Sequence, residues 1–338
     1  MHVIESPSGT ADPGNRHPAA GTPPAAVPAP PVADRIEDLV GGTPLIRLRP
    51  AGLAPGAEVL AKLESANPLS GVKDRAALYM LRSAEDRGLL PRDGGTIVEA
   101  TSGNTGISLA ALAASRGHRC VIVLPDNATT ERVRMLRAFG AEVVQTPSDR
   151  GYPGAIEKAE EIHAATPGSW FPCQHENPDN VAAHYATTGP ELAASLSAVG
   201  RRADALVCGV GTGGTLTGIA RYLRETGAPV TVVAVEPENS PVLSRGHAGQ
   251  HRIPGLNGGF VAPTTDVSLI DEVLTVTDEE AMSAARHLAC GQGVFTGVSA
   301  GAAVHAAAVV ASRPEYAGRT VVTVLPDTGE RYLSMWDA

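Results

Sequence analysis

From about Ile36 onward the chain alternates two hydrophobic periods. Short runs rich in Val and Ile stand at Val59–Leu63, Thr96–Glu99, Cys120–Leu124, Glu142–Gln145, Ala205–Cys208, Val230–Val235 and Thr320–Leu325, and each predicts a strand. Between them, apolar residues recur at helical spacing over Ala76–Arg87, Gly106–Arg116, Thr130–Phe139, Tyr152–Ala165, Thr215–Glu225, Asp278–Cys290 and Ala300–Ala311. Apolar strands alternating with helices predict an α/β fold whose mostly parallel sheet is covered on both faces. Ligands of such sheets bind beyond the carboxyl ends of the strands, where loops lead into helices. No internal repeat is visible.

Residues 1–35 break this pattern. They are rich in Pro, Ala and Gly, lack hydrophobic periodicity, and have neither the basic start nor the apolar stretch of a signal peptide. A disordered, partly polyproline-like tail is expected there. The whole chain has 338 residues, 43% hydrophobic and 19% charged, as in ordinary globular proteins, with a formal net charge of −9. An acidic chain without a Lys/Arg-rich block argues against a nucleic-acid partner. No run of 18 apolar residues predicts a membrane span. Three of the four widely spaced cysteines lie in apolar or strand-like runs, so buried thiols in a reducing, cytoplasmic setting are expected. No Cys/His spacing suits a metal, and no structural zinc or haem is expected.

Three of the strand-to-helix loops are unusually rich in Gly, Ser and Thr: Thr101–Gly106, Gly209–Thr215 and Gly297–Gly301. The second satisfies G-x-G-x-x-G and is followed by Glu236 at the end of the next strand, which is also the signature of a dinucleotide-binding oxidoreductase. Its physical content is narrower: small residues let backbone N–H groups meet one phosphate at a helix N-terminus. A glycine turn of purely structural purpose would leave the same trace. Thr101–Gly106 offers hydroxyl and amide donors suited to a carboxylate, or simply a helix cap. Ser299 likewise is either a neutral hydroxyl in a site or a cap. Lys73 follows a turn-forming run and opens a helix, where the macrodipole disfavours a cation, so it is a candidate for a lowered pKa and Schiff-base chemistry. A lysine beside Asp74 and Arg75 is more commonly a solvated surface residue. An amine nucleophile, a phosphate cup, a carboxylate cup and a neutral hydroxyl together make the set that pyridoxal phosphate (PLP) with an amino-acid substrate requires.

The chain resembles the cysteine synthase (O-acetylserine sulfhydrylase) and cystathionine β-synthase family of PLP enzymes from about Leu39 to Ser334. The markers are Gly42-Thr43-Pro44-Leu45, Asn67-Pro68 with Val72-Lys73-Asp74-Arg75, Thr101-Ser102-Gly103-Asn104-Thr105-Gly106, Gln174 with Asn177-Pro178, Thr187–Glu191, Gly211–Thr215, Ser299-Ala300-Gly301-Ala302, and Leu325-Pro326 with Gly329–Tyr332. The resemblance implies a tryptophan-synthase-β-like fold (PLP fold type II), with two open, mostly parallel sheets and the cofactor in the cleft between them. It implies a large PLP-binding domain of residues 36–66 and 178–338, and a smaller, mobile substrate-binding domain of residues 67–177. By residue, Lys73 becomes the catalytic Schiff-base lysine, and Asn104 the partner of the cofactor's 3′-oxygen. Gly211, Thr212, Gly213, Gly214 and Thr215 become the phosphate loop, and Ser299 the partner of the pyridine nitrogen. Thr101, Ser102, Thr105 and Gln174 become the holders of the substrate carboxylate.

The implied reaction is β-replacement on an activated serine: O-acetyl-L-serine and sulfide give L-cysteine and acetate through an α-aminoacrylate. Specialised relatives of cystathionine β-synthase, O-phosphoserine-using, 2,3-diaminopropionate or O-ureidoserine type share these motifs. The implied partners are the small-molecule amino acid and nucleophile, a second copy of the chain in a homodimer, and serine acetyltransferase. Two departures stand out. Leu69-Ser70-Gly71 replaces the usual Gly-Gly-Ser before Val-Lys. In Gly255-Leu256-Asn257-Gly258-Gly259-Phe260, Asn257 replaces a glycine, either to re-tune the nucleophile entrance or as a harmless turn residue.

Overall fold

The computed structural model describes residues 32–336 apart from Ser102 and Ala228, and residues from Arg35 onward form one compact unit. The tail expected at 1–35 lies, but for its last four positions, outside the described residues. Ten strands follow in chain order: β1 (Leu45–Leu48), β2 (Glu58–Leu63), β3 (Thr96–Ala100), β4 (Arg119–Pro125), β5 (Glu142–Thr146), β6 (Ser169–Trp170), β7 (Ala205–Gly209), β8 (Thr231–Pro237), β9 (Glu272–Val276) and β10 (Thr320–Leu325). Eleven α-helices accompany them: α1 (Lys73–Asp86), α2 (Asn104–Arg116), α3 (Thr130–Ala138), α4 (Gly151–Ala165), α5 (Pro178–Ala183), α6 (Gly189–Ala198), α7 (Gly214–Glu225), α8 (Val242–Arg245), α9 (Asp278–Gln292), α10 (Val298–Ala311) and α11 (Leu333–Trp336).

The strands make two sheets. One has six strands in the order β1-β2-β10-β7-β8-β9, the other four in the order β5-β4-β3-β6. Every pairing is parallel except β1 with β2. Two mostly parallel sheets flanked by helices are the expected α/β architecture. The central strand β10 (Thr-Val-Val-Thr-Val-Leu) is buried at every position, which is why it reads as a continuous apolar run rather than an alternating one. Helix α10 packs its small residues on that sheet and against α9. A side chain at Gly301 would meet the carbonyl of Ala281, so glycine sets the closeness of this helix pair.

Every strand read from the sequence is present, within one or two residues. Three further strands, β1, β6 and β9, carried no signal: β1 and β6 are four residues or fewer, and β1 and β9 are sheet edges with one buried position each. The stretch from Pro178 to Ala198 was also unread as helix. Asn177 caps it by accepting the Asp179 amide at 3.0 Å, and a wider, π-type turn at His184–Thr188 joins α5 to α6. Of the cysteines, Cys120 and Cys208 are buried as expected, Cys173 is half-buried, and Cys290 is exposed because its helix face points outward.

A buried charge cluster ties these layers together. Arg75 in α1 reaches Glu64 through Nε at 2.7 Å, and Glu191 in α6 through Nη1 at 2.7 Å and Nη2 at 2.8 Å. Lys62 of β2 donates to Glu191 at 2.7 Å, and the Thr43 hydroxyl donates to Glu64 at 2.6 Å. Two cations balance two anions, and Lys62, Glu64 and Arg75 are all at most 1% exposed. Burial alone would raise the Glu191 carboxyl, but hydrogen bonds from Arg75 and Lys62 overcome it and hold it down to about 2. Removing one member strands the others without water. Arg75→Met is therefore expected to cost about 3–5 kcal/mol, the usual penalty for breaking a buried ion pair from one side, read as a lowered midpoint of urea unfolding. The depressed Glu191 adds stability that is present above pH 4.5 and lost as pH falls towards about 2.

Candidate active site

Lys73 is the first residue of α1, and its position is fixed from both sides. The Val72 amide donates to the carbonyl of Pro326, just past β10, at 2.8 Å. Asp74 accepts from the Leu69 amide at 2.8 Å and from the Ser108 hydroxyl of α2 at 2.7 Å. The charged neighbours of Lys73 are thus buried, not solvated: Asp74 is 0% and Arg75 1% exposed. Burial lowers the Lys73 ammonium to about 8, with Cys208 and Asp327 pulling the other way. Desolvation, more than the helix start read from the sequence, is what makes this amine available as a neutral base near pH 8.

The lysine stands where two cavities meet. The inner one is walled by Asn104, Cys208, Gly211–Gly213, Thr215, Ser299 and Asp327. The outer one, about 420 Å³ and open to solvent, adds Thr101, Thr105, Gln174 and His175. Its size is that of a small-molecule site. The structure therefore gathers Lys73, Asn104, Gly211, Thr212, Gly213, Thr215, Ser299, Thr101, Thr105 and Gln174 around one space. Gly214 supports the loop from behind, where a side chain would strike the Asn180 carboxamide. Ser102 lies outside the described residues.

The loop Gly211–Gly214 opens α7. The amides of Gly211, Thr212 and Gly213 have no hydrogen-bond partner among the described residues, and they lie at a helix N-terminus suited to an anion. Gly213 has φ +78°, and a side chain there would run into Thr265. The loop is braced: the Thr212 hydroxyl accepts from Asn180 Nδ2 at 3.0 Å, and Thr215 shares a hydrogen bond with His184 Nε2 at 3.1 Å. Burial holds His184 well below the ordinary histidine range, so the ring that braces the loop is neutral. Glu236 has another task than a ribose. Its fully buried carboxylate accepts the amides of Leu243 at 2.8 Å and Ser244 at 3.0 Å, capping α8. The oxidoreductase reading of the glycine loop thereby loses its acidic residue.

Across the cavity, Asn104 donates through Nδ2 to Asp327 Oδ2 at 2.6 Å, and Tyr332 donates to the same oxygen. Asn104 Oδ1 and Asp327 Oδ1 are buried without a partner among the described residues. Thr105 donates to Gln174 Oε1 at 2.6 Å. Asp327, Tyr332, His175 and the bracing Asn180 and His184 were not singled out from the sequence. Only the run Gly329–Tyr332 hinted at one of them, as a shared motif. Asn257 does line the outer cleft, but its amide is committed: Oδ1 accepts from the Ser240 hydroxyl and the Gly259 amide, both at 3.1 Å, and Nδ2 donates to the Ser240 carbonyl. It is a pin that fixes the loop, neither a free polar group nor an idle turn residue.

An amine at a helix start, facing glycine loops at the carboxyl ends of strands between two open α/β sheets, defines a PLP enzyme of fold type II. The chain belongs to the pyridoxal-phosphate dependent enzyme family, whose model it matches over residues 36–327. It is 45% identical over 299 residues to a probable cysteine synthase of Bacillus subtilis, covering 88% of this chain and 95% of that one. With the cysteine synthase of Staphylococcus aureus it shares 44% over 301 residues, 89% and 96% of the two chains. Among solved structures, O-ureido-L-serine synthase superposes with a TM-score of 0.85 at 43% identity over 90% of this chain and 94% of that one. The cysteine synthase of Entamoeba histolytica gives 0.86 at 36% identity over 91% of each. The donor set fits the family's cofactor: a desolvated amine for its aldehyde, free amides for its phosphate, and the unpartnered oxygens of Asn104 and Asp327 in the same cavity.

Gly213→Ala tests that fit. The backbone is left-handed there and the added carbon meets Thr265, so the loop must shift. The variant is expected to lose cofactor affinity by about tenfold or more, since strain of about 1–3 kcal/mol is usual at such a position, measured by equilibrium dialysis against pyridoxal phosphate.

Proposed function

We propose that this protein carries out PLP-dependent β-replacement on an activated serine, taking O-acetyl-L-serine and sulfide to L-cysteine and acetate. The observation that carries the reading is the desolvated amine of Lys73, lowered to about 8 at the junction of an inner cavity with free amides and an outer cleft lined by hydroxyls suited to a carboxylate. Cysteine synthases at 44–45% identity support the choice of reaction.

In this reading Lys73, Asn104, Gly211–Thr215 and Ser299 hold the cofactor, which when bound withdraws electrons from the substrate α-carbon and makes its proton removable. Lys73, as a neutral amine, would take that proton and later return it. The depressed basicity suits both tasks, because the amine is neutral often enough to accept and acidic enough to give back. Thr101, Ser102, Thr105 and Gln174 orient the α-carboxylate. The Ser299 hydroxyl, being neutral, would supply no counter-charge to a cofactor held in the inner cavity, which suits prompt loss of the β-substituent. Residues 67–177, which include the whole four-stranded sheet, act as a smaller lobe that closes over the substrate and excludes water. We further propose a cytoplasmic homodimer with serine acetyltransferase as a protein partner, on the family resemblance. Among the described residues no helix is long and apolar enough to cross a membrane.

A second reading is favoured by one observation, the likeness to O-ureido-L-serine synthase at 43% identity: the same first half of the reaction, with a nucleophile other than sulfide. Purified holoenzyme with O-acetyl-L-serine, followed by sulfide, thiosulfate, homocysteine and hydroxyurea in turn, separates the two. Sulfide is expected to give the highest kcat/KM. A higher value for another nucleophile makes the second reading correct. Lys73→Ala is expected to abolish turnover and the visible absorbance of bound cofactor together, and an active variant that keeps the absorbance would remove Lys73 from the site.

A further inference from the structure

Glu99 is the fourth residue of β3, directly before the loop that carries Thr101 and Thr105, and it is 2% exposed. Its carboxyl accepts the Cys173 amide at 2.9 Å, and the Gln174 amide bonds the same carboxyl. These two amides belong to an unusual turn. Cys173 has φ 51°, one of two left-handed residues other than glycine among those described. Its carbonyl accepts from Glu176 at 2.9 Å and Asn177 at 3.0 Å. The turn carries Gln174, whose side chain accepts from Thr105 at 2.6 Å and whose carbonyl accepts from Asn180 at 2.8 Å. Such a conformation persists only where surrounding contacts over-determine it.

We infer that Glu99 is a positioning residue for the amino-acid substrate: its carboxyl clamps the left-handed turn that delivers Gln174 to Thr105, and it must be neutral while the substrate's carboxylate is bound. The inference rests on the reading above, in which Thr101, Thr105 and Gln174 hold that carboxylate. The titratable groups facing Glu99 are Cys120 from β4, Tyr152 from α4 and Cys173 itself, and none is a cation. Burial without a cation pushes Glu99 up to about 8, against the pull of the two amides. A neutral carboxyl still accepts both N–H groups through its carbonyl oxygen. An ionised one places a negative charge on the turn that carries Gln174, which in this reading holds the substrate's carboxylate, and nearby like charges in a buried site disfavour each other. Anion binding and Glu99 ionisation therefore oppose each other by the same factor.

The test uses holoenzyme and L-alanine, which has no β-leaving group, with Kd read from the visible absorbance of bound cofactor between pH 6.5 and 9.5. Glu99→Gln keeps the acceptor and removes the titration. The substrate's own amine titrates alike in both proteins, so the ratio of wild-type to variant Kd isolates Glu99. That ratio is expected to stay constant below pH 7 and to rise by up to about tenfold per pH unit above about 8. Glu99→Asp keeps the charge but withdraws the carboxyl from the turn. It is expected to weaken L-alanine at all pH values by about tenfold or more, the worth of a lost hydrogen bond to a charged or buried partner, with a smaller change in kcat at saturating substrate. Parallel profiles for wild type and Glu99→Gln, or Glu99→Asp indistinguishable from wild type, overturn the inference. Absence of any L-alanine response in the wild type at every pH would instead overturn the functional reading on which it rests.

Discussion

A lysine kept dry enough to be a base needs neighbours that are dry without being unpaired. The cluster of Arg75, Glu64, Glu191 and Lys62 meets that requirement. Arg75 sits two positions after Lys73 on the same helix, and its guanidinium spends its donors on two carboxylates from two other elements. The helix start is thereby anchored to the turn just past β2 and to α6 by directional bonds that hydrophobic packing alone would not give. Because the cluster is neutral overall, it adds little net field at Lys73, and burial remains the leading cause of the lowered amine. Such clusters contribute little net stability compared with apolar replacements. What this one supplies is a fixed direction for the first turn of α1.

The inner cavity follows the same logic with polar rather than charged groups. Gly211, Gly213 and Gly214 are each pressed against another segment: the Gly255 carbonyl, Thr265 and Asn180. A loop this confined offers its amides in one arrangement whether or not an anion is present, so little ordering remains to be done on binding. His184 completes the brace as a neutral ring. A histidinium behind the loop would add attraction for phosphate, but burial forbids the charge. What the loop itself offers an anion is its free backbone amides at the helix start.

Much of this was legible in the sequence because it is local. Strands buried on both faces announce themselves as apolar runs, and Gly-rich turns between them mark the loops at their carboxyl ends. Thr101–Gly106 and Gly211–Thr215 could be named because each lies inside such a loop, whereas Lys73 opens α1 after a turn, and the loop at Gly297–Gly301, expected to follow a strand, instead joins α9 to α10. What escaped depends on distant approach. Glu99 looks like an ordinary polar residue at a strand end until Cys173 folds back on it from 74 positions away. Asp327 gains meaning from Asn104, 223 positions off. Asn257 was visible as an oddity, yet its partner Ser240 was not, so its pinning of the cleft loop could not be read from the sequence. The edge strands β1 and β9 were missed since a half-solvated strand needs no continuous apolar run.

The strained positions follow a pattern of their own. Outside glycine, the left-handed residues among those described are Ser70 and Cys173. Ser70 lies three residues before Lys73, and Cys173 one before Gln174. Each is held by a buried carboxyl with a raised pKa: Asp74, lifted by burial to about 6, bonds the Leu69 amide next to Ser70, and Glu99 bonds Cys173. Glycine at either place would relax the turn and remove the need for the clamp. With glycine, however, the turn would also sample other conformations, and the amine and the carboxamide would wander with it. A β-carbon in a left-handed turn, locked by a buried acid, gives a stiffer hinge than glycine does. The two walls of the site, one presenting the amine and one the carboxamide, each rest on a left-handed turn held by a buried acid.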